Sequence, residues 1–307
     1  MKLCTIVIVA ALVVAFVGTV GPVGSAYADD NPATTFYWTG DTSTAWNNSA
    51  NWTGDTVSEP WPNGANDTAI IVDASNDPTL NVTVTIGKLW VATGTLTVPA
   101  YTLTLFDDDV PLLIGSGTLE IQKGGKVSVS KGGEVKLDSS SGQIKFVTGA
   151  GDWDPIFEIQ KPTLITHSGT GGKIVGDVKG RLTSTNSNAV LILGTGITAT
   201  GTLDIEAPFV NNGLVHAETN TNGGEDHDII TLKGSGKTGD GEYLVSDDAL
   251  AQIVALVPVS GNADLTMSDG ELELWNFFVV CGDLDMTGGA IDLSNDSNSM
   301  FEISGCD

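Results

Sequence analysis

The chain is almost without arginine: Arg181 is the only one in 307 residues. Lysine and arginine together number 13 against 38 aspartates and glutamates, giving a formal net charge of −25. Such a surface repels phosphate backbones and anionic head groups, so nucleic acid is excluded as a partner. The acidity serves either solubility or cation binding. Histidine is scarce too, with only His167, His216 and His227 available. No Gly-x-Ser-x-Gly elbow accompanies them, and no Cys-His spacing suits zinc. Cysteine is limited to Cys4, Cys281 and Cys306. Ordered alternation of Val, Ile and Leu, with slightly positive mean hydropathy, excludes a disordered chain.

What is there begins with an export signal. Lys2 supplies a short positive region, an apolar run extends from Leu3 to Val20, and Ala26-Tyr27-Ala28 fits the small-x-small rule for signal peptidase. Residues 1–28 therefore read as a cleaved signal peptide, with Asp29 as the mature N-terminus and a secreted or cell-surface location. A retained anchor is the alternative, since the run approaches the length that spans a bilayer.

Period-two alternation fills the remainder. Val82-Thr-Val84-Thr-Ile86, Leu96-Thr-Val98, Leu103-Thr-Leu105, Leu119-Glu-Ile121 and Val135-Lys-Leu137 each put aliphatic side chains on one face and polar ones on the other. Glycine turns such as Lys123-Gly-Gly125 and Lys131-Gly-Gly133 separate them. Ser246 to Val257 is the one segment with a helical alternative, because Ser246 is a suitable cap and Pro258 a stop; Ile253-Val254 argues for a strand.

Internal repeats point to the architecture. Asp264-Leu-Thr-Met267 returns as Asp283-Leu-Asp-Met286, an offset of 283 − 264 = 19. Gly94-Thr-Leu96-Thr-Val98 returns as Gly117-Thr-Leu119-Glu-Ile121, an offset of 117 − 94 = 23, and Gly201-Thr-Leu203-Asp-Ile205 reads as a third copy. Short strands recurring at such intervals predict an all-β, right-handed parallel β-helix, each coil supplying two or three strands. An antiparallel β-sandwich is the alternative. Residues 29–62 read as an N-terminal cap, holding Trp38, Trp46, Trp52 and Trp61 without the later alternation. Those rings serve either as sugar-stacking platforms or as an aromatic core that closes the first coil. Residues 63–307 form the solenoid. The repeat phrase is still running at Ser304-Gly-Cys306-Asp307, which predicts that further coils follow.

Tyr37-Trp-Thr-Gly40, Trp46-Asn-Asn-Ser-Ala-Asn-Trp52 and Gly64-Ala-Asn-Asp67-Thr-Ala-Ile-Ile71 resemble the opening of bacterial secreted parallel β-helix surface proteins, the autotransporter passenger-type and adhesin-like repeat proteins. Asn211-Asn-Gly213-Leu-Val215 resembles their Asn-Asn-Gly-x-Val turns. The resemblance covers residues 36–98. It implies an extracellular β-helix acting as a structural or adhesin-like module, with extracellular polysaccharide or other surface proteins as partners.

The rival readings are a carbohydrate-binding module and a polysaccharide lyase or hydrolase, since such enzymes also use parallel β-helices. A lyase needs a basic residue beside a neutralised carboxylate. Arg181 has no aspartate cluster near it in sequence, and Asp107-Asp-Asp109 suits a solvated turn as well as a carboxylate pair. No catalytic residue is assigned and no cofactor is required. Calcium is the one ion with a matching phrase: Gly223-Gly-Glu-Asp226-His-Asp228 resembles a single calcium nonapeptide, with Asp226 and Asp228 as ligands and an acidic loop as the alternative. Cys281 and Cys306, 306 − 281 = 25 residues apart and each preceding the same repeat phrase, are expected to form a disulfide between adjacent coils.

Overall fold

The computed structural model describes residues 33–54, 60–72, 74–169, 171–218, 229–234, 236–237, 239–246, 252–255, 259–293 and 299–303. The chain divides into two compact units, Met1–Asp30 and Asn31–Asp307. The first, which contains the export signal read from the sequence, lies outside the described residues.

The second unit is a parallel β-helix with three faces. One coil runs through Lys88–Val91, Thr95–Val98 and Thr102–Leu105, and the next through Leu112–Ile114, Thr118–Gln122 and Lys126–Val129. Each strand pairs in parallel with its counterpart one coil later: Leu89 with Leu112, Thr95 with Thr118, Thr102 with Lys126. Among the described residues the one antiparallel pair is Thr35–Trp38 with Trp52–Gly54, which excludes the sandwich. The first face is a 10-stranded sheet; the second and third are joined into one of 17 strands by the long strands Gly172–Ser184 and Ile197–Ile205, which run across both. Three further strands, Val259–Gly261, Phe277–Val280 and Met300–Ile303, stack in parallel and enter the last coils.

Alternation buries one residue in two. On the second face Leu96, Leu119, Ile144, Ile174, Ala199, Val215, Tyr243 and Leu265 form one inward column by register, all buried. A fully buried aliphatic side chain of this kind contributes about 1.5–3 kcal/mol. Stacking also gives every interior strand a backbone partner on both sides. Burial pushes the Tyr243 phenol far above its ordinary pKa, while a hydrogen bond with Asn211 acts in the opposite direction.

The repeats found in the sequence are coil registers. The 19-residue offset is Leu265 against Leu284, and the 23-residue offset is Thr95 against Thr118. The third copy is a correction: Gly201-Thr-Leu203-Asp-Ile205 runs onto the third face, where Leu203 pairs with Gly180 and Ile230, and not onto the second face with the other two. Gly201 has φ of 80° and stacks on Gly176, so the pair forms the corner between the two faces. The helical alternative at 246–257 is corrected as well. Gln252–Ala255 is a strand, because Ile253 fills the third-face column between Ile230 and Leu272.

Candidate functional site

The four tryptophans named from the sequence do not face solvent as a platform. Trp38, Trp46 and Trp52 are buried, and Trp61 is partly buried against the same core. Trp52 meets Trp38 at 4.9 Å and Trp46 at 4.7 Å between ring centroids, both edge-to-face. Their indole N–H groups are consumed inside: Trp38 Nε1 donates to Asn76 O at 2.7 Å, Trp46 Nε1 to Pro62 O at 3.1 Å and Trp52 Nε1 to Trp46 O at 2.6 Å. With faces covered and donors satisfied, these rings are the core of the first coils. The sugar-stacking assignment of Trp38, Trp46 and Trp52 is therefore corrected.

The repeated Asn and Asp of the same segment hold its loops. Asn51 Oδ1 accepts from Thr42 N at 3.0 Å and Ser43 N at 3.1 Å, and Asp67 Oδ2 accepts from Asn63 N at 3.0 Å and Gly64 N at 2.7 Å. The Asn-Asn-Gly turn works similarly. Asn211 Oδ1 accepts from Gly213 N at 3.1 Å, and its Nδ2 donates to Glu242 O at 3.1 Å on the next coil.

Charged groups converge on the third face. Arg181 donates to Glu206 from Nε at 3.3 Å and from Nη2 at 2.6 Å. Beside this pair the carboxylate of Asp204, almost fully buried, takes both Lys179, at 3.1 Å, and Lys233. Hydrogen bonding to Glu206 outweighs burial and holds the Arg181 guanidinium above its ordinary value. The arginine that a lyase would need is thus bound to a carboxylate. In the Asp107-Asp-Asp109 phrase, Asp107 Oδ1 accepts from Asp109 N at 2.8 Å and Val110 N at 3.1 Å, closing a turn.

One arrangement was not legible from sequence spacing. His216 Nε2 lies 2.8 Å from Ser246 Oγ, and His216 Nδ1 lies 3.7 Å from Glu218 Oε2. The order of groups matches a serine nucleophile, a base and an orienting acid. The geometry does not complete it. Ser246 is buried, 3.7 Å exceeds a hydrogen bond, and Glu218 Oε1 instead accepts from Thr200 Oγ1 at 2.9 Å. The three side chains form a cross-coil polar stack.

Asp226 and Asp228 lie outside the described residues, and so does Cys306. Cys281 is disulfide-bonded. Among the described residues no group of three or more His, Cys, Asp or Glu is arranged to hold a metal ion, and no helix is long and apolar enough to cross a membrane.

Two exposed aromatic rings share one outward row on the first face. Trp90 is 40% exposed and Tyr37 42%. The signal was present in Lys88-Leu-Trp90-Val91, whose alternation sends Leu89 and Val91 inward and Trp90 outward. A shallow cavity of about 360 Å³ opens over Trp90, lined also by Lys88, Asp109, Leu113, Lys136 and Asp138. Lys88 pairs with Asp107 at 3.4 Å and Lys136 with Glu134 at 3.0 Å. The Glu134 hydrogen bond and charge hold the Lys136 ammonium above its ordinary value. Asp138 Oδ1 accepts from Ser168 Oγ at 2.8 Å and Ser168 N at 3.2 Å, which fixes that carboxylate at the rim. No protein-family model, curated protein or solved structure matches this chain.

Proposed function

We propose that the mature chain is a secreted or cell-surface β-helix module that acts by geometry, presenting outward side chains and loops on a rigid stack of coils, and not by catalysis. The observation that carries this reading is the parallel coil-to-coil pairing that runs through the 10-stranded and 17-stranded sheets, which spends backbone and side chain alike on bonding between coils. Support for the non-catalytic part is that Arg181 is paired with Glu206, and Asp204 with Lys179 and Lys233, so the charged groups of this cluster are engaged with one another. The signal-like N-terminus and the resemblance of residues 36–98 support the extracellular, adhesin-like part. Calcium in the 223–228 loop belongs to the same proposal, as do polysaccharide or surface-protein partners.

The test uses the purified exported chain. Incubation with pectin, alginate and xylan is expected to release no reducing ends and no unsaturated products. Release that disappears in Asp204→Asn or Glu206→Gln overturns the non-catalytic reading. The Ser246–His216 contact adds an arm: a fluorophosphonate probe is expected to leave Ser246 unlabelled. Labelling that is lost in Ser246→Ala and in His216→Ala would make the protein a serine hydrolase.

A further inference from the structure

Register makes one outward row of the first face continuous over successive coils: Tyr37, Ile70, Trp90, Leu113 and Lys136. Corresponding outward positions on the second face are Thr95, Thr118, Gln143 and Lys173. The first-face row instead carries four large apolar or aromatic side chains before its lysine. Burial separates their roles. Ile70 is buried, whereas Tyr37 and Trp90 on either side of it in the row stand exposed, and the cavity itself opens at Trp90. Successive coils are spaced by about 4.8 Å, so the two rings lie about 10 Å apart along the stack.

We propose that this groove binds a neutral oligosaccharide, laid along the coil axis with a sugar ring stacked on the Trp90 indole. Three features point to that ligand. An exposed indole on a rigid strand offers a flat apolar face of the kind a sugar ring covers, and its neighbours supply both hydrogen-bond senses. Lys88 and Lys136 donate, each ammonium carrying three hydrogens of which one neighbouring carboxylate uses only part. Asp138 accepts, in an orientation set by Ser168. Next, the Tyr37–Trp90 separation suits an extended glycan that presents successive residues to successive platforms. Charge then selects the class. Within the cavity two lysines, Lys88 and Lys136, balance two aspartates, Asp109 and Asp138, while the whole chain carries −25. A uronate polymer is repelled by that wider field, and a neutral glycan is not. The assignment rests on the extracellular reading for access to such a ligand and does not depend on whether the chain has catalytic activity.

The experiment is titration of the purified chain with neutral cello-, xylo-, manno- and laminari-oligosaccharides, and with oligogalacturonate and oligoalginate, followed by calorimetry. Binding of at least one neutral series is expected. Trp90→Ala is expected to weaken it about tenfold or more and Trp90→Phe less, because a ring remains. Trp153→Ala, which alters an exposed ring outside the groove, is expected to leave affinity unchanged. Circular dichroism and thermal melting of each variant confirm folding. Failure of every neutral oligosaccharide to bind at millimolar concentration overturns the proposal. Binding only of uronates does so too, as does an equal loss in Trp153→Ala or none in Trp90→Ala. Product release in the same mixtures would instead overturn the non-catalytic reading and leave the groove assignment standing.

Discussion

Asp204 accepts two lysines at once: its Oδ2 lies 3.1 Å from Lys179 Nζ and in direct contact with Lys233 Nζ, while only 3% of the residue is exposed. The carboxylate sits on the outward row of the third face, between Arg181 on one coil and Thr231 on the next. One buried negative charge thus holds two positive ones from different coils together. Removing it takes away the carboxylate that the two ammonium groups share, with Glu206 still 3.5 Å from Lys233. We expect Asp204→Ala to cost about 2–3 kcal/mol, below the 3–5 kcal/mol of a fully buried pair because the lysines reach solvent. Glu206→Gln, in a more exposed pair, is expected to cost about 1 kcal/mol or less. Urea unfolding of both variants measures the difference, and equal effects would show that burial of Asp204 is not the deciding term.

The same cluster sets an alkaline limit. Burial pulls the Lys233 ammonium down, but the hydrogen bond and charge of Asp204, with those of Glu206, more than reverse it, so its pKa stands above the ordinary value. A raised folded-state pKa contributes stability that is fully present below the unfolded lysine value, about 10.4, and is lost as pH rises through the folded value. Melting temperature should therefore fall above about pH 10.4 with a slope that flattens in Lys233→Met. An unchanged slope in that variant would place the alkaline transition elsewhere.

A corner glycine gives a backbone prediction. Gly201 has φ of 80°, a conformation costly for other residues, and a Cβ there would overlap the carbonyl oxygen of Gly176 one coil below. Nothing flexible is available to move, since the obstacle is backbone. Gly201→Ala is expected to cost about 2 kcal/mol or more by denaturant unfolding. A loss under about 0.5 kcal/mol would mean the corner can reshape.

Much of this fold was legible because the physical constraint repeats. A strand that must stack on its neighbour presents an aliphatic side chain at the same register in each coil, so Leu96 and Leu119, or Leu265 and Leu284, recur visibly. Face identity was not legible: Gly-Thr-Leu-x-Ile fits any face, and only the corner at Gly201 shows that its third occurrence belongs to another one. The site failed for a related reason. Tryptophan density at 38–61 drew attention, but rings clustered in sequence can bury one another, and these do. Trp90 stands alone in sequence, and its significance depends on Tyr37 and Ile70, which register brings beside it from 53 and 20 residues away (90 − 37 and 90 − 70).

The last prediction concerns the disulfide of Cys281. The remaining cysteines in the chain are Cys4 and Cys306, and the export reading removes Cys4 with the signal peptide. Val280 pairs with Ile303 in adjacent parallel strands, so Cys281 follows directly on one paired position and Cys306 comes three residues after the other. Paired Cα atoms in neighbouring strands are about 4.8 Å apart, inside the range of about 4.4–6.8 Å that a disulfide accepts, so cysteines on adjacent coils are within bonding reach when they stand near one register. We expect non-reducing peptide mapping to recover Cys281 linked to Cys306. A loop of 306 − 281 = 25 residues is closed by that bond, and chain entropy puts the stabilisation at about 3–4 kcal/mol. Reduction should accordingly lower the unfolding midpoint, with hydrogen exchange rising first in Phe277–Val280 and Met300–Ile303, the strands that the bond adjoins. Recovery of free Cys306 thiol from protein purified without reductant, or an unfolding midpoint indifferent to reductant, would refute the pairing.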